Sequence, residues 1–197
     1  MTIDMEILPP ATGRIRLAVP PAMRRWIGAE AQRAAGLVNV ISGTWTIHLV
    51  DDQRMIEYHR RTMNLPNTTD VLTFNYTPTD CELAPLEVET IICVDEAQRQ
   101  AAMRHHRPEL EILLYAIHSL LHCIGYDDMT AAQAKVMHRK EDDILLQMGY
   151  PAVYHTTARG AVGAAGGQRL RRPLPAGKSP KSRNSRKIAI GGKGGRR

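Results

Sequence analysis

Tyr115-Ala-Ile-His-Ser-Leu-Leu-His-Cys-Ile-Gly-Tyr-Asp-Asp128 is the stretch that decides the fold. Two histidines, His118 and His122, stand four residues apart in an otherwise apolar run. On a helix that spacing puts both imidazoles on one face, about 40° apart around the axis. Imidazoles so placed can share a cation, and a neutral imidazole nitrogen is a good ligand for zinc. Gly125 follows three residues later, and glycine ends helices because it accepts the left-handed conformation at C′. The chain then turns back and brings Tyr126-Asp127-Asp128 near the imidazoles. One carboxylate there completes a two-His, one-carboxylate site with a position left open for water. The histidine pair alone is a weak signal, since buried histidines often bond backbone; the helix stop and the Asp pair strengthen it. In the zinc-protease signature His-Glu-x-x-His a general base follows the first histidine. Here that residue is Ser119, so the helix carries ligands without that base.

Outward from this stretch, Pro108-Glu109 starts the helix with proline in the first turn and acids at the positive end of its dipole. Leu110, Leu113, Leu114, Ile117 and Leu121 make it apolar nearly all round, which predicts the central buried helix. Thr130 caps a last helix carrying Val136, Met137, Ile144 and Leu145 and ending at Gly149. Towards the N-terminus, Ile3 to Ile7 alternates and reads as a strand, and Arg14 to Val19 is a second extended segment. Pro20-Pro21 opens a helix with Met23, Trp26, Ile27, Ala31 and Ala34 on its apolar stripe, stopping near Gly36. Gly43 to Val50 is a strand; Asp51-Asp52 caps a helix to about Met63; Asp70 to Tyr76 is a strand. Pro78 to Pro85 is a surface connection. Glu87 to Val94 is a strand, and Asp95 caps a helix to about His105. Strands between helices predict an α+β fold: a small mixed β-sheet with helices packed on it, around a metalloprotease-like core with a central buried His-x3-His helix.

The chain has 197 residues, enough for one domain with its own core. The net charge of +6 hides a split. From Thr157 onward there are 12 Lys or Arg and no Asp or Glu, so residues 1–156 hold 14 basic against 20 acidic residues, a net of −6. Two regions are expected: a domain over 1–156, and a basic tail over 157–197 rich in Gly, Pro, Ser and Arg, expected to be disordered. Arg169-Leu-Arg-Arg and the Lys178–Lys187 run suit phosphate contacts with strong salt dependence. No apolar run is long enough to span a bilayer, and the acidic N-terminus is no signal peptide, which implies the cytoplasm. Cys81, Cys93 and Cys123 are widely spaced and read as reduced thiols. His48, His59, His105 and His106 read as structural or solvent-facing, His138 is a spare ligand candidate at long odds, and aromatics are too scarce to show a base-stacking surface.

Taken together these features resemble the YbeY family of metal-dependent endoribonucleases acting on ribosomal RNA. The family hallmark His-Gly-x-Leu-His-Leu-x-Gly-Tyr-Asp-His is matched by His118-Ser-Leu-Leu-His122-Cys-Ile-Gly125-Tyr126-Asp127-Asp128. Thr69-Asp70-Val71-Leu72-Thr73-Phe74 is similar to its Pro-Thr-Asp-Val-Leu-Ser-Phe strand, with Thr68 in place of the proline. The resemblance spans roughly residues 1–155 and leaves out the tail. It implies one zinc per chain, held by His118, His122 and, where the family has its third histidine, Asp128. A carboxylate there is a harder donor, so the site is expected to be less selective for zinc and to tolerate manganese or iron better. Asp127 is read as supporting the loop or bonding a ligand from behind rather than binding the metal. The family's phosphate-contacting arginine falls on Met63, which leaves Arg60 and Arg61 as its substitutes; the competing reading is two solvated helix charges. The implied function is single-strand-specific cleavage of RNA in ribosomal RNA processing, at the 3′ end of small-subunit rRNA, and in ribosome quality control. The implied partners are rRNA and the small subunit, with the basic tail contacting RNA. A catalytically weak RNA-binding protein of the same fold is the alternative, given Asp128 and Met63. A peptidase is disfavoured by Ser119.

Overall fold

A computed structural model of the chain describes residues 3–8, 19–78, 84–155 and 189–191. In chain order the elements are β1 (Ile3–Leu8), α1 (Pro21–Leu37), β2 (Gly43–Val50), α2 (Asp52–Met63), β3 (Val71–Asn75), β4 (Leu86–Cys93), α3 (Val94–Arg104), α4 (Pro108–Cys123), α5 (Ala131–Gln147) and β5 (Ala189–Gly191). The strands form one mixed sheet in the order β1-β2-β4-β3-β5. β1, β2 and β4 run parallel; β3 is antiparallel to both β4 and β5. This is the α+β class expected from the sequence.

The two faces of the sheet follow the two-residue period of its strands. Trp45, Ile47 and Leu49 of β2, Val71 of β3, and Leu86, Val88 and Ile92 of β4 join the main core with α1, α3, α4 and α5. The opposite residues Val50, Leu72, Ile91 and Cys93 form a smaller cluster with Met55 of α2. At Gly43 the strands leave no room for a side chain: a Cβ there would lie 2.0 Å from the Leu86 carbonyl oxygen, and φ is +132°. Within α4, the residues from Leu110 to Ile117 are all buried, as its apolar composition predicts.

Several helix ends form as the local sequence dictates. Asp51 accepts the Arg54 N–H at 2.9 Å, and Thr130 makes a reciprocal capping box with Gln133. Asp95 departs from expectation. The helix begins two residues earlier, at Val94 with Cys93 as N-cap, and the Asp95 carboxylate accepts the N–H of Asp52 at 3.0 Å. It therefore ties the start of α2 to α3, reinforced by Arg99, which grips both Asp52 oxygens at 2.7 Å.

The extended segment expected over Arg14–Val19 lies outside the described residues up to position 18, as do residues 79–83 of the connection before β4. Within the segment expected to be disordered, Ala189–Gly191 instead pairs with the outer edge of β3, Ile190 opposite Thr73. An unpaired edge strand offers free N–H and C=O groups that a second strand satisfies. The rest of the tail lies outside the described residues. Cys93 and Cys123 are free thiols, each pushed up to about 12 by burial. Among the described residues no helix is long and apolar enough to cross a membrane.

Candidate metal centre

The helix that carries the histidines is fixed to the sheet by a polar contact inside an apolar interface. Trp45 Nε1 donates to Thr90 Oγ1 at 2.8 Å, Thr90 shares a hydrogen bond with Ser119 at 2.6 Å, and Thr73 donates to Ser119 at 3.0 Å. All four residues are buried. Ser119, one residue after His118, thus sets the height and rotation of α4 on β3 and β4. Its hydroxyl fits because two threonines satisfy it.

The end of α4 brings the acidic segment back. Gly125, at φ +97°, donates to the His122 carbonyl at 3.2 Å, and Tyr126 donates to the Leu121 carbonyl at 3.0 Å. This is the paired bonding of a Schellman turn, with Leu121 in the main core and Tyr126 packed against that core. The turn leaves the Tyr126 carbonyl oxygen 3.1 Å from His122 Nδ1. Asp127 braces the next step: its Oδ1 accepts the N–H groups of Asp128 at 2.8 Å and Met129 at 3.3 Å. Asp128 then faces the histidines.

His118 Nε2 and His122 Nε2 are 3.1 Å apart, with the rings nearly perpendicular. Asp128 Oδ1 lies 3.9 Å from His122 Nε2, and one donor atom from each of the three residues falls within 4.8 Å of the others. The far nitrogens fix the tautomers. His118 Nδ1 is 2.7 Å from Glu141 Oε1, and His122 Nδ1 faces the Tyr126 carbonyl, so both Nδ1 atoms carry a proton that they donate. With both rings neutral, the two Nε2 lone pairs face each other, an arrangement that a shared cation relieves. Burial disfavours a charged His118, but the hydrogen bond and charge of Glu141, with Asp70 and Asp128, outweigh it and hold its pKa above the ordinary value. Burial and the neighbouring His118 push His122 the other way. Two imidazoles and a carboxylate, with side chains 2%, 12% and 17% exposed for His122, His118 and Asp128, make a donor set that fits zinc or a similar divalent ion.

Arg60 and Arg61 are exposed on the last turn of α2, and no hydrogen bond or ion pair among the described residues ties either to the histidines. Four other histidines have partners of their own. His48 pairs with Glu89 at 2.8 Å, His59 Nδ1 meets the Asn67 carbonyl at 2.7 Å, and His106 bonds Glu111. His138 stacks on Tyr154 at 3.8 Å, outside the three-residue group. Trp45 is buried and Trp26 packs edge-on against Tyr150. Sequence reasoning missed Glu141. A signal existed: Glu141 lies on the same α5 stripe as Met137, Ile144 and Leu145, a charge at a core position.

A mixed sheet bearing a buried His-x3-His helix, with a carboxylate folded back onto it, defines the class: an α+β protein with a candidate metal centre. The family model described as Endoribonuclease YbeY matches residues 21–149, and the chain belongs to that family of endoribonucleases. Endoribonuclease YbeY of Cutibacterium acnes is 36% identical over 110 residues, covering 53% of this chain and 71% of that protein. That of Staphylococcus aureus is 34% identical over 111 residues, covering 53% and 72%, and that of Bifidobacterium longum subsp. infantis 38% over 110, covering 51% and 58%. Among solved structures, TM1509 from Thermotoga maritima overlays with a TM-score of 0.48 at 16% identity, covering 79% of this chain and 99% of that one.

Proposed function

We propose that the chain is a zinc-dependent, single-strand-specific endoribonuclease that processes ribosomal RNA at the 3′ end of the small-subunit rRNA and in ribosome quality control. One observation carries the reading: two Nε2 atoms converge at 3.1 Å with Asp128 Oδ1 3.9 Å from that of His122. His118, His122 and Asp128 are the ligands of one ion. When bound, zinc supplies a Lewis acid that makes water more acidic and draws charge from a phosphoryl oxygen. The protein's own groups hold and orient it. The Tyr126 carbonyl fixes the His122 ring, the Ser119 contacts fix the helix, and Asp127 fixes the loop. Arg60 and Arg61, exposed on the last turn of α2 and in no ion pair among the described residues, supply cations for the phosphate. The tail, with its 12 basic residues, adds RNA affinity without sequence choice. The partners are then rRNA and the small subunit, and the compartment is the cytoplasm.

The test is a cleavage assay on single-stranded and duplex RNA with the full chain as purified, after chelation, and after zinc, manganese or iron is returned. Cleavage confined to single strands, abolished by chelation and restored by metal, is expected; His122→Ala should remove both metal and activity. Metal retained at about one equivalent without cleavage would favour an RNA-binding protein of this fold. The variant Asp128→His should raise selectivity for zinc over manganese.

A further inference from the structure

Glu141 sits on α5 and is 0% exposed, yet it carries a carboxylate into the core beside Met137, Ile144 and Leu145. Its Oε1 is 2.7 Å from His118 Nδ1, and its Oε2 is buried with no hydrogen-bonding partner. The nearby Arg104 is committed elsewhere, 2.6 Å from Glu111 and over the Tyr154 ring. His138 is likewise committed, stacked on Tyr154. So the imidazole of His118 is the group that Glu141 serves. A buried carboxylate with one oxygen unpaired is costly unless positive charge lies close by.

The two histidines are held differently. His122 gives its Nδ1 proton to a neutral backbone carbonyl, whereas His118 gives its proton to a carboxylate. A carboxylate behind an imidazole fixes the tautomer, locks the ring and makes the opposite nitrogen a stronger donor. Resting on the metal reading above, we propose that Glu141 is a positioning residue for the metal centre: it holds His118 with the Nε2 lone pair aimed at the point shared with His122 and Asp128. It also makes His118 the stronger of the two imidazole ligands. α5 is thereby part of the centre although it contributes no ligand.

The experiment measures zinc affinity of the full chain by competition with a chromogenic chelator, alongside thermal melting of the metal-free protein. Parent, Glu141→Gln, Glu141→Ala and His118→Ala are compared. The proposal expects zinc binding weakened by about tenfold to a hundredfold in Glu141→Ala. Glu141→Gln should fall between, because its amide oxygen still accepts the Nδ1 proton without the charge. Glu141→Ala binding zinc as tightly as the parent, while His118→Ala does not, would overturn the role of Glu141 and leave the metal site standing. A parent that binds no zinc would overturn the metal reading and this inference with it. Because a substitution in the core can prevent folding, the parent is also examined by nitrogen-15 NMR of its histidine rings. His118 is expected as the Nδ1–H tautomer with a slowly exchanging ring proton; the Nε2–H tautomer there contradicts the proposal.

Discussion

At the scale of single residues, the fold depends on buried polar side chains whose partners lie far away in the chain. The Ser119 hydroxyl bonds both Thr73 and Thr90 in a dry interface. Ser119→Val should destabilise the fold by about 1–3 kcal/mol, because two buried hydroxyls lose their partner; urea unfolding measures it. Asp142 is a second case. Its carboxylate accepts the N–H groups of Val153, Tyr154 and His155 at 2.7, 3.1 and 2.8 Å, and bonds the His155 ring. Burial opposes its charge, but those bonds win and hold its pKa below the ordinary value. The sign follows: stability from Asp142 is fully present above the unfolded carboxylate's pKa of about 4 and is lost as pH falls through the lower folded value. Asp142→Asn should therefore be less stable than the parent at pH 7, with the gap closing on acidification, as read by melting at pH 7 and pH 3. Neither role was legible in the sequence, because each depends on partners between 11 and 46 positions away.

At the scale of elements, what was legible was local. The His118–His122 spacing, the stop at Gly125, the Asp51 cap and the Thr130 capping box all involve residues within four positions of each other. Asp95 resembles a cap in the local sequence because Asp52, the residue it holds, lies 43 positions away. Glu141 was passed over because its histidine is 23 positions away, on another helix. The Schellman turn at Gly125 is the element on which ligand geometry depends. Added bulk meets no neighbour there, so a substitution acts through backbone strain alone. Gly125→Ala should cost about 1–2 kcal/mol in melting experiments and weaken zinc binding as well, because the same turn places the Tyr126 carbonyl and Asp128. A loss of stability with unchanged zinc affinity would separate the turn from the centre.

At the scale of the whole molecule, charge is divided between an acidic body and a basic tail, and this was plain from composition. The pairing of Ala189–Gly191 with β3 was not, since three small and aliphatic residues carry no strand signal of their own and the edge of β3 supplies the template. A chain ending at His155 should fold, keep the metal centre, and bind single-stranded RNA more weakly with a shallower salt dependence. Equal binding by both chains from low to high salt would show that the tail has no part in RNA affinity.

The central claim is that α4 and the bend after it bring two imidazoles and one carboxylate onto a single ion. X-ray absorption at the zinc edge of the loaded full chain tests it most directly. Two imidazole nitrogens and oxygen donors are expected at about 2.0–2.2 Å, and one imidazole fewer in His122→Ala. A sulfur donor at about 2.3 Å, or a shell of oxygen alone, would contradict it.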